Sequence, residues 1–304
     1  MSLWFHAGES ISGRTAAVVF WVFVLFAAGW LSTRRPRLGI ALLALLAVGF
    51  SGWWWSIKPR LDRSWAPDVA RTVTGSATGD VVTLLNVRDF RWTSESEADE
   101  RWDWRKYDLS KLVETDLVLS YWGIDAIAHT LVSFGFSDGR RVVFSVEIRR
   151  ERDEVFSSIA GFFKVYELAL IASEESDILY LRTNMRGEDT YLYPLALPPE
   201  AMRALFLRYV ETGNKLAREP AFYNTLTANC TTVIFDLAQL IEPGLPTDWR
   251  ILLSGYLPGY LIDQNVLVSK LPEPELRRQA AISALARAAP NDAPYSNVIR
   301  GSPK

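Results

Sequence analysis

Two uncharged apolar runs near the amino terminus constrain this chain more than any other feature. Thr15–Ser32 (TAAVVFWVFVLFAAGWLS) and Leu38–Ile57 (LGIALLALLAVGFSGWWWSI) carry no charged residue. A helix crosses a hydrocarbon core of about 30 Å with about 20 residues, so each run is long enough to span a bilayer. Trp53, Trp54 and Trp55 fall where an interfacial aromatic belt would lie. A cleaved signal peptide has a shorter apolar region and a small-residue cleavage site, and the second run would anchor the chain in any case. The expectation is a two-helix transmembrane hairpin within residues 1–60, with spans at about 15–32 and 38–57. Arg34, Arg35 and Arg37 crowd the short connection and by the positive-inside rule put it in the cytoplasm. Lys58, Arg60 and Arg63 argue the other way but are spread out and diluted by Asp62. The amino terminus and everything beyond the second span are then extracytoplasmic.

The rest of the chain reads as one α+β domain over residues 81–289, after a linker at 61–80 and before a flexible tail at 290–304. Strands are expected over Val81–Trp92, in TDLVLSYWG, on both sides of Ser137–Arg140, in ILYLRTN and in TYLYPLAL. The Asp138–Gly139 pair between two β-rich runs is a strong hairpin signal. Helices are expected in VFSSIAGFFKVYELALIA, in PPEAMRALFLRYVETGNKLARE, after Cys230, and in EPELRRQAAISALARAA. TSESEADERWDWRKYD reads as a solvated acidic loop. Acids and bases nearly balance at a net charge of −2, which argues against a nucleic-acid binder working through a broad basic surface. With one cysteine and two histidines the chain lacks the ligands for a thiolate- or imidazole-rich zinc site, and no metal or cofactor is expected.

That one cysteine, Cys230, stands where YNTLTAN gives way to Val233, Ile234, Leu237, Leu240 and Ile241 at one-face helical spacing. Thr227 and Asn229 are natural N-caps, so the sulfur belongs in a first helical turn. Free N–H groups and the positive end of the helix dipole favour a thiolate there. The same N–H groups suit an oxyanion, an effect worth about 3–4 kcal/mol per donor. A thiolate nucleophile also needs a proton carrier, and His129 is the histidine outside the apolar amino-terminal region. Packing of Cys230 and His129 as ordinary core residues is the plain alternative. A third group would orient the imidazole, and the partner strand offers Ser145 and Glu147. With a two-residue turn at Asp138–Gly139, His129 faces Ile148 and Glu147 points away; a one-residue bulge would bring Glu147 round.

The segments NVRDFRW, IAHTLVSFGFSDGRRVVFSVEIRRE, LYLRTNMRGEDTYLYPL and FYNTLTANCTT, in this order, resemble the bacterial Lnb N-terminal periplasmic domain family over roughly Val81–Gln264. The resemblance implies a permuted papain-like, NlpC-type thiol-enzyme fold with histidine before cysteine, His129 and Cys230 at the family positions. It implies a lipoprotein N-acyltransferase that moves a fatty acyl chain from a phospholipid to the amino-terminal amine of a lipoprotein. The setting is the bacterial inner membrane, with the catalytic domain on the periplasmic side. Cys230, His129 and Glu147 are then the candidate catalytic residues. Asn229, Arg182 and Arg186 are candidate substrate contacts, the arginines toward an anion or headgroup, with a solvated or salt-bridged role as their plainer reading. An NlpC-type cysteine peptidase or amidase acting on cell-wall peptides, or a non-catalytic envelope binding module, are the alternatives.

Overall fold

Runs of Val, Ile, Phe and Tyr between turn residues pair into one large sheet. The computed structural model describes residues 1–7, 10–155, 157–288 and 294–301. Its strands are β1 (Thr74–Thr78), β2 (Val81–Arg88), β3 (Arg91–Trp92), β4 (Ala98–Asp99) and β5 (Trp102–Asp108). They continue with β6 (Leu112–Tyr121), β7 (Ala128–Phe136), β8 (Arg141–Arg149), β9 (Glu167–Ser173) and β10 (Asp189–Pro194). The main sheet runs β1-β2-β9-β8-β7-β6-β10, with β5 also on β2, while β3 and β4 pair separately. Neighbours are antiparallel except β2 and β9.

β7 and β9 are buried along their whole length, and most of β6 and β8 with them. Both faces of the sheet are therefore covered, and the central strands need apolar residues on either side. One face takes helices Pro199–Arg218 and Cys230–Gln239, with Phe206 5.1 Å from Phe134 and Tyr209 4.7 Å from Phe144 between ring centroids. On the other face Ile178, Leu179, Ile282, Ala286, Tyr295 and Ile299 pack on Val118, Leu131 and Val143. The domain is α+β, as expected.

Helices Ile11–Arg34 and Pro36–Ser56 have mean hydropathies of 2.0 and 1.7 and are long and apolar enough to cross a membrane. Ser10 caps the first through the Gly13 N–H, and Pro36 opens the second at the position where a missing N–H does no harm. They close on each other where Gly39 meets Ser32; a Cβ on Gly39 would stand 2.3 Å from the Ser32 backbone.

Several local expectations change. The expected linker belongs to the domain: Trp65, Ala66, Val69 and Val73 are buried, and β1 joins the sheet. Within VFSSIAGFFKVYELALIA the described residues form a short 3-10 turn, Ala160–Phe162, and then β9, because a strand buried on both faces shows the same unbroken apolarity as a core helix. ILYLRTN is helical, from Glu175–Tyr180 into a π-turn at Leu181–Met185. Part of the acidic loop forms β4 and β5. The last expected helix breaks into Glu273–Ala280 and Ser283–Ala288, since Ala281 bridges to Tyr191 of β10. Of the expected tail, residues 294–301 pack onto the domain: Tyr295 and Ile299 are buried, and Arg300 pairs with Asp116 at 2.7 Å and Glu175 at 2.8 Å. The remainder, 290–293 and 302–304, lies outside the described residues.

Candidate active site

The β7–β8 turn decides what faces His129. The Gly139 N–H donates to Phe136 O at 2.9 Å and the Phe136 N–H to Arg140 O at 3.0 Å, with Gly139 at φ +86°. This is a three-residue loop with glycine in the left-handed region, one residue longer than a two-residue turn. The register becomes Leu131 opposite Ser145, and two residues further along each strand His129 comes level with Glu147 rather than Ile148. The bulge brings Glu147 to the histidine, and Ser145 lies on the same face two residues away.

His129 is buried, and its Nε2 lies 2.8 Å from Ser145 Oγ and 3.1 Å from Glu147 Oε1. The Ser145 hydroxyl donates to the same Oε1 at 2.6 Å, and Arg182 Nη2 adds a bond of 3.1 Å. Arg182 in turn pairs through Nη1 with Glu188 at 3.2 Å, and Glu188 accepts from Ser120 Oγ at 2.5 Å. The carboxylate that faces the imidazole is thus held from three sides by buried groups.

The β7–β8 ladder stops at Leu131 while β8 continues against β9, and the start of helix Cys230–Gln239 packs beside β7 and β8 there. Asn229 caps that helix: its Oδ1 accepts from the N–H groups of Thr231 at 2.8 Å and Thr232 at 2.9 Å, and Thr232 Oγ1 accepts from the Asn229 N–H. Thr231 and Thr130 share a hydroxyl hydrogen bond of 2.8 Å that ties the first turn to β7. The Cys230 sulfur lies 3.9 Å from Thr231 Oγ1 and lines the same cavity as the His129 imidazole, close enough to feel its charge. Since Nε2 is engaged by Ser145 and Glu147, Nδ1 is the nitrogen left for the sulfur.

The charges follow from these neighbours. Burial pushes the Cys230 thiol up, but the imidazolium, its hydrogen bond, the Thr130 N–H and the Thr231 hydroxyl outweigh it, and the net direction is down. Burial and Arg182 push His129 down; Glu147 and the sulfur raise it further, to about 9. Burial pushes Glu147 up, yet the imidazolium, Arg182 and Ser145 hold it well below the ordinary carboxylate range. These neighbours favour a thiolate beside an imidazolium that is backed by a carboxylate. Replacing Glu147 by Gln removes the charge that raises His129 while burial and Arg182 remain. The imidazole should then titrate roughly 1–3 pH units lower, followed by NMR of the ring, and an unchanged midpoint would deny Glu147 its role.

A cavity of about 680 Å³ opens over this pair. Cys230, His129, Glu147, Asn229, Arg182 and Arg186 all line it, so the six candidates come together. Two of them are engaged within the protein, Asn229 as the cap the sequence suggested and Arg182 in the salt-bridged role. Asn229 is used as the helix cap, with its Nδ2 on Thr225 O at 2.7 Å. Arg182 is buried in ion pairs with Glu147 and Glu188 rather than open to an anion. The cap also takes the Thr231 and Thr232 N–H groups, so of the first-turn donors expected for an oxyanion only the Cys230 N–H is left outside the cap. Tyr223 escaped the sequence reading. It lines the cavity, and burial and the nearby sulfur raise its phenol, which stays protonated. Its place in FYNTLTANC, seven residues before the thiol, was the available signal.

This α+β domain brings a helix-terminal thiol and a strand imidazole to one cavity. The model of the Lnb N-terminal periplasmic domain family matches residues 98–255, and the chain belongs to that family. No curated protein and no solved structure matches the chain. A periplasmic-domain family together with two amino-terminal apolar helices fits a membrane protein with its folded domain in the periplasm.

Proposed function

We propose that this protein is a membrane-anchored thiol acyltransferase that moves a fatty acyl chain from a phospholipid to the amino-terminal amine of a bacterial lipoprotein. The observation that carries the proposal is that Cys230, at the start of its helix, and His129, 3.1 Å from Glu147, line one open cavity. The permuted papain-like, NlpC-type ancestry belongs to the same proposal. So does the multi-pass anchor, with both helices spanning the inner membrane and their connection in the cytoplasm.

The chemistry uses each group once per half-cycle. The Cys230 sulfur attacks the ester carbonyl, a C–S bond forms and the ester C–O bond breaks. The lysophospholipid oxygen leaves with the proton of the His129 imidazolium. The neutral imidazole then takes a proton from the incoming amine as its nitrogen attacks the thioester. A C–N bond forms, the C–S bond breaks, and the thiolate–imidazolium pair is restored. The cavity-lining Arg186, whose ion pair with Glu188 is loose at 3.9 Å, suits the donor's phosphate. Both substrates reside in the bilayer, so an anchored enzyme meets them in two dimensions.

The test is to incubate the full chain, reconstituted in vesicles, with phospholipid labelled in its acyl chain and to map the product by mass spectrometry. The expected result is an acyl group on Cys230 that is discharged by a lipoprotein amine. Turnover of cell-wall peptides without any acyl adduct would instead favour the peptidase.

A further inference from the structure

The loop over residues 157–164 joins two parts of the molecule. On one side it forms the site: Ser158 and Phe162 line the cavity, and Ser158 O accepts from Thr225 Oγ1 at 2.9 Å. Gly161 packs so closely there that a Cβ would stand 2.4 Å from Thr225 Oγ1, which pins the loop to the segment leading to Cys230. On the other side the loop grips the short amino-terminal helix Ser2–His6 and the end of the apolar hairpin. Phe163 stacks on Phe5 at 5.6 Å between ring centroids, and its carbonyl is 2.7 Å from His6 Nε2. Lys164 Nζ donates to Trp54 O at 2.8 Å and stands 4.8 Å from the Trp54 ring and 5.6 Å from that of Trp55. Phe162 of the cavity wall is thus followed directly by Phe163, packed on the amino-terminal helix, and by Lys164, bonded to Trp54 at the aromatic end of the hairpin.

That adjacency fixes a depth. Tryptophans at the end of a spanning helix sit at headgroup level, so the cavity wall at Phe162 does too. With Phe162, exposed at 39%, the lining carries other exposed apolar side chains: Ile124 at 65%, Leu252 at 48% and Trp122 at 42%. Single exposed apolar residues need no explanation, but a set gathered round one opening that continues from the hairpin does.

From this we infer that the mouth of the Cys230 cavity rests on the bilayer, its rim of Ile124, Leu252, Trp122 and Phe162 dipping into the headgroup region of the leaflet where the hairpin ends. The occupant of the rim is a lipid surface. The inference rests on the proposed function for its anchor, not for its acyl chemistry. A diacyl lipid would then reach the thiol by sliding out of the leaflet rather than by crossing water.

The test needs no activity. Because Cys230 is the only cysteine, Cys230→Ser gives a full chain into which single cysteines are placed at Leu252 or Ile124. Two controls are Val22, in the first apolar helix, and Val113, exposed at the far end of β6. Each is labelled with an environment-sensitive nitrobenzoxadiazole dye and reconstituted into phosphatidylethanolamine–phosphatidylglycerol vesicles with nitroxide near the headgroup end of the acyl chains. The probes at 252 and 124 should shift to the blue and lose about half their emission or more, as for groups buried 5–10 Å into the interface, while that at 113 does neither. If the Val22 probe is quenched and those at 252 and 124 behave like 113, the inference is overturned and the anchor stands. If the Val22 probe also reports water, the anchor reading falls and the inference with it. Neither outcome touches acyl transfer, which the adduct on Cys230 reads separately.

Discussion

Replacing Cys230 by Ser or His129 by Ala is expected to lower acyl transfer on the order of 10⁴-fold or more, with the double variant hardly worse than either single one. The two groups act as a unit: without the imidazolium the thiol keeps the upward push of its burial, and without the sulfur the imidazole has no nucleophile to serve. The sign with pH follows from the directions above. The thiolate persists below the range of a free thiol, and the imidazolium persists up to about 9, so the ion pair fills a window that closes from above as pH passes 9. Alkylation of Cys230 by iodoacetamide should therefore stay fast well into the acidic side of a free cysteine's profile. In His129→Ala the profile should move up, with the rate at neutral pH falling accordingly. Matching profiles in the two proteins would show that sulfur and imidazole do not share a proton, and the mechanism would lose its first step.

Much of this site was legible before the fold was. Capping residues ahead of an apolar helical stripe put Cys230 in a first turn, and the scarcity of histidine left His129 as its partner. What the residues alone left open was register. Asp138–Gly139 suggests a two-residue turn, but the chain adds one residue to the loop, and that residue decides whether Ile148 or Glu147 meets the imidazole. Arg182 illustrates another limit. Its partners lie 35 and 6 positions away, and nothing local distinguishes an arginine that holds a buried carboxylate from one that waits for a phosphate. The oxyanion expectation changed for a related reason: the residue that makes a good cap consumes the N–H groups that the cap exposes in outline. β9 read as helix because burial on both faces removes the alternation that marks a strand. The apolar hairpin was legible because its constraint is length and charge alone.

The largest expected effect on stability lies in NVRDFRW, well away from the thiol. Arg88 and Asp177 are both buried and pair bidentately, Nε to Oδ2 at 2.8 Å and Nη2 to Oδ1 at 3.0 Å. Asp177 also accepts from the Phe90 N–H at 2.9 Å and from Trp92 Nε1 at 2.7 Å. One carboxylate therefore ties β2, the turn after it and β3 to the start of the Glu175–Tyr180 helix. Asp177→Asn keeps the shape but leaves a guanidinium charge buried without its counter-charge, which costs about 3–5 kcal/mol. For a domain of this size that lowers the melting midpoint by roughly 6–20 °C in a thermal scan. Arg88→Met should lose a similar amount, and the pair of substitutions together should lose less than their sum, because the second removes the orphaned charge left by the first. Additive losses would mean that the two side chains are held by other partners. The effect also reaches the site, since the helix that Asp177 anchors runs directly into the π-turn carrying Arg182, and Arg182 holds Glu147 against His129. At temperatures where Asp177→Asn is still folded, the His129 midpoint should therefore drop as the carboxylate loses its hold. A fold-level charge pair and a proton-transfer geometry are joined through one turn of helix.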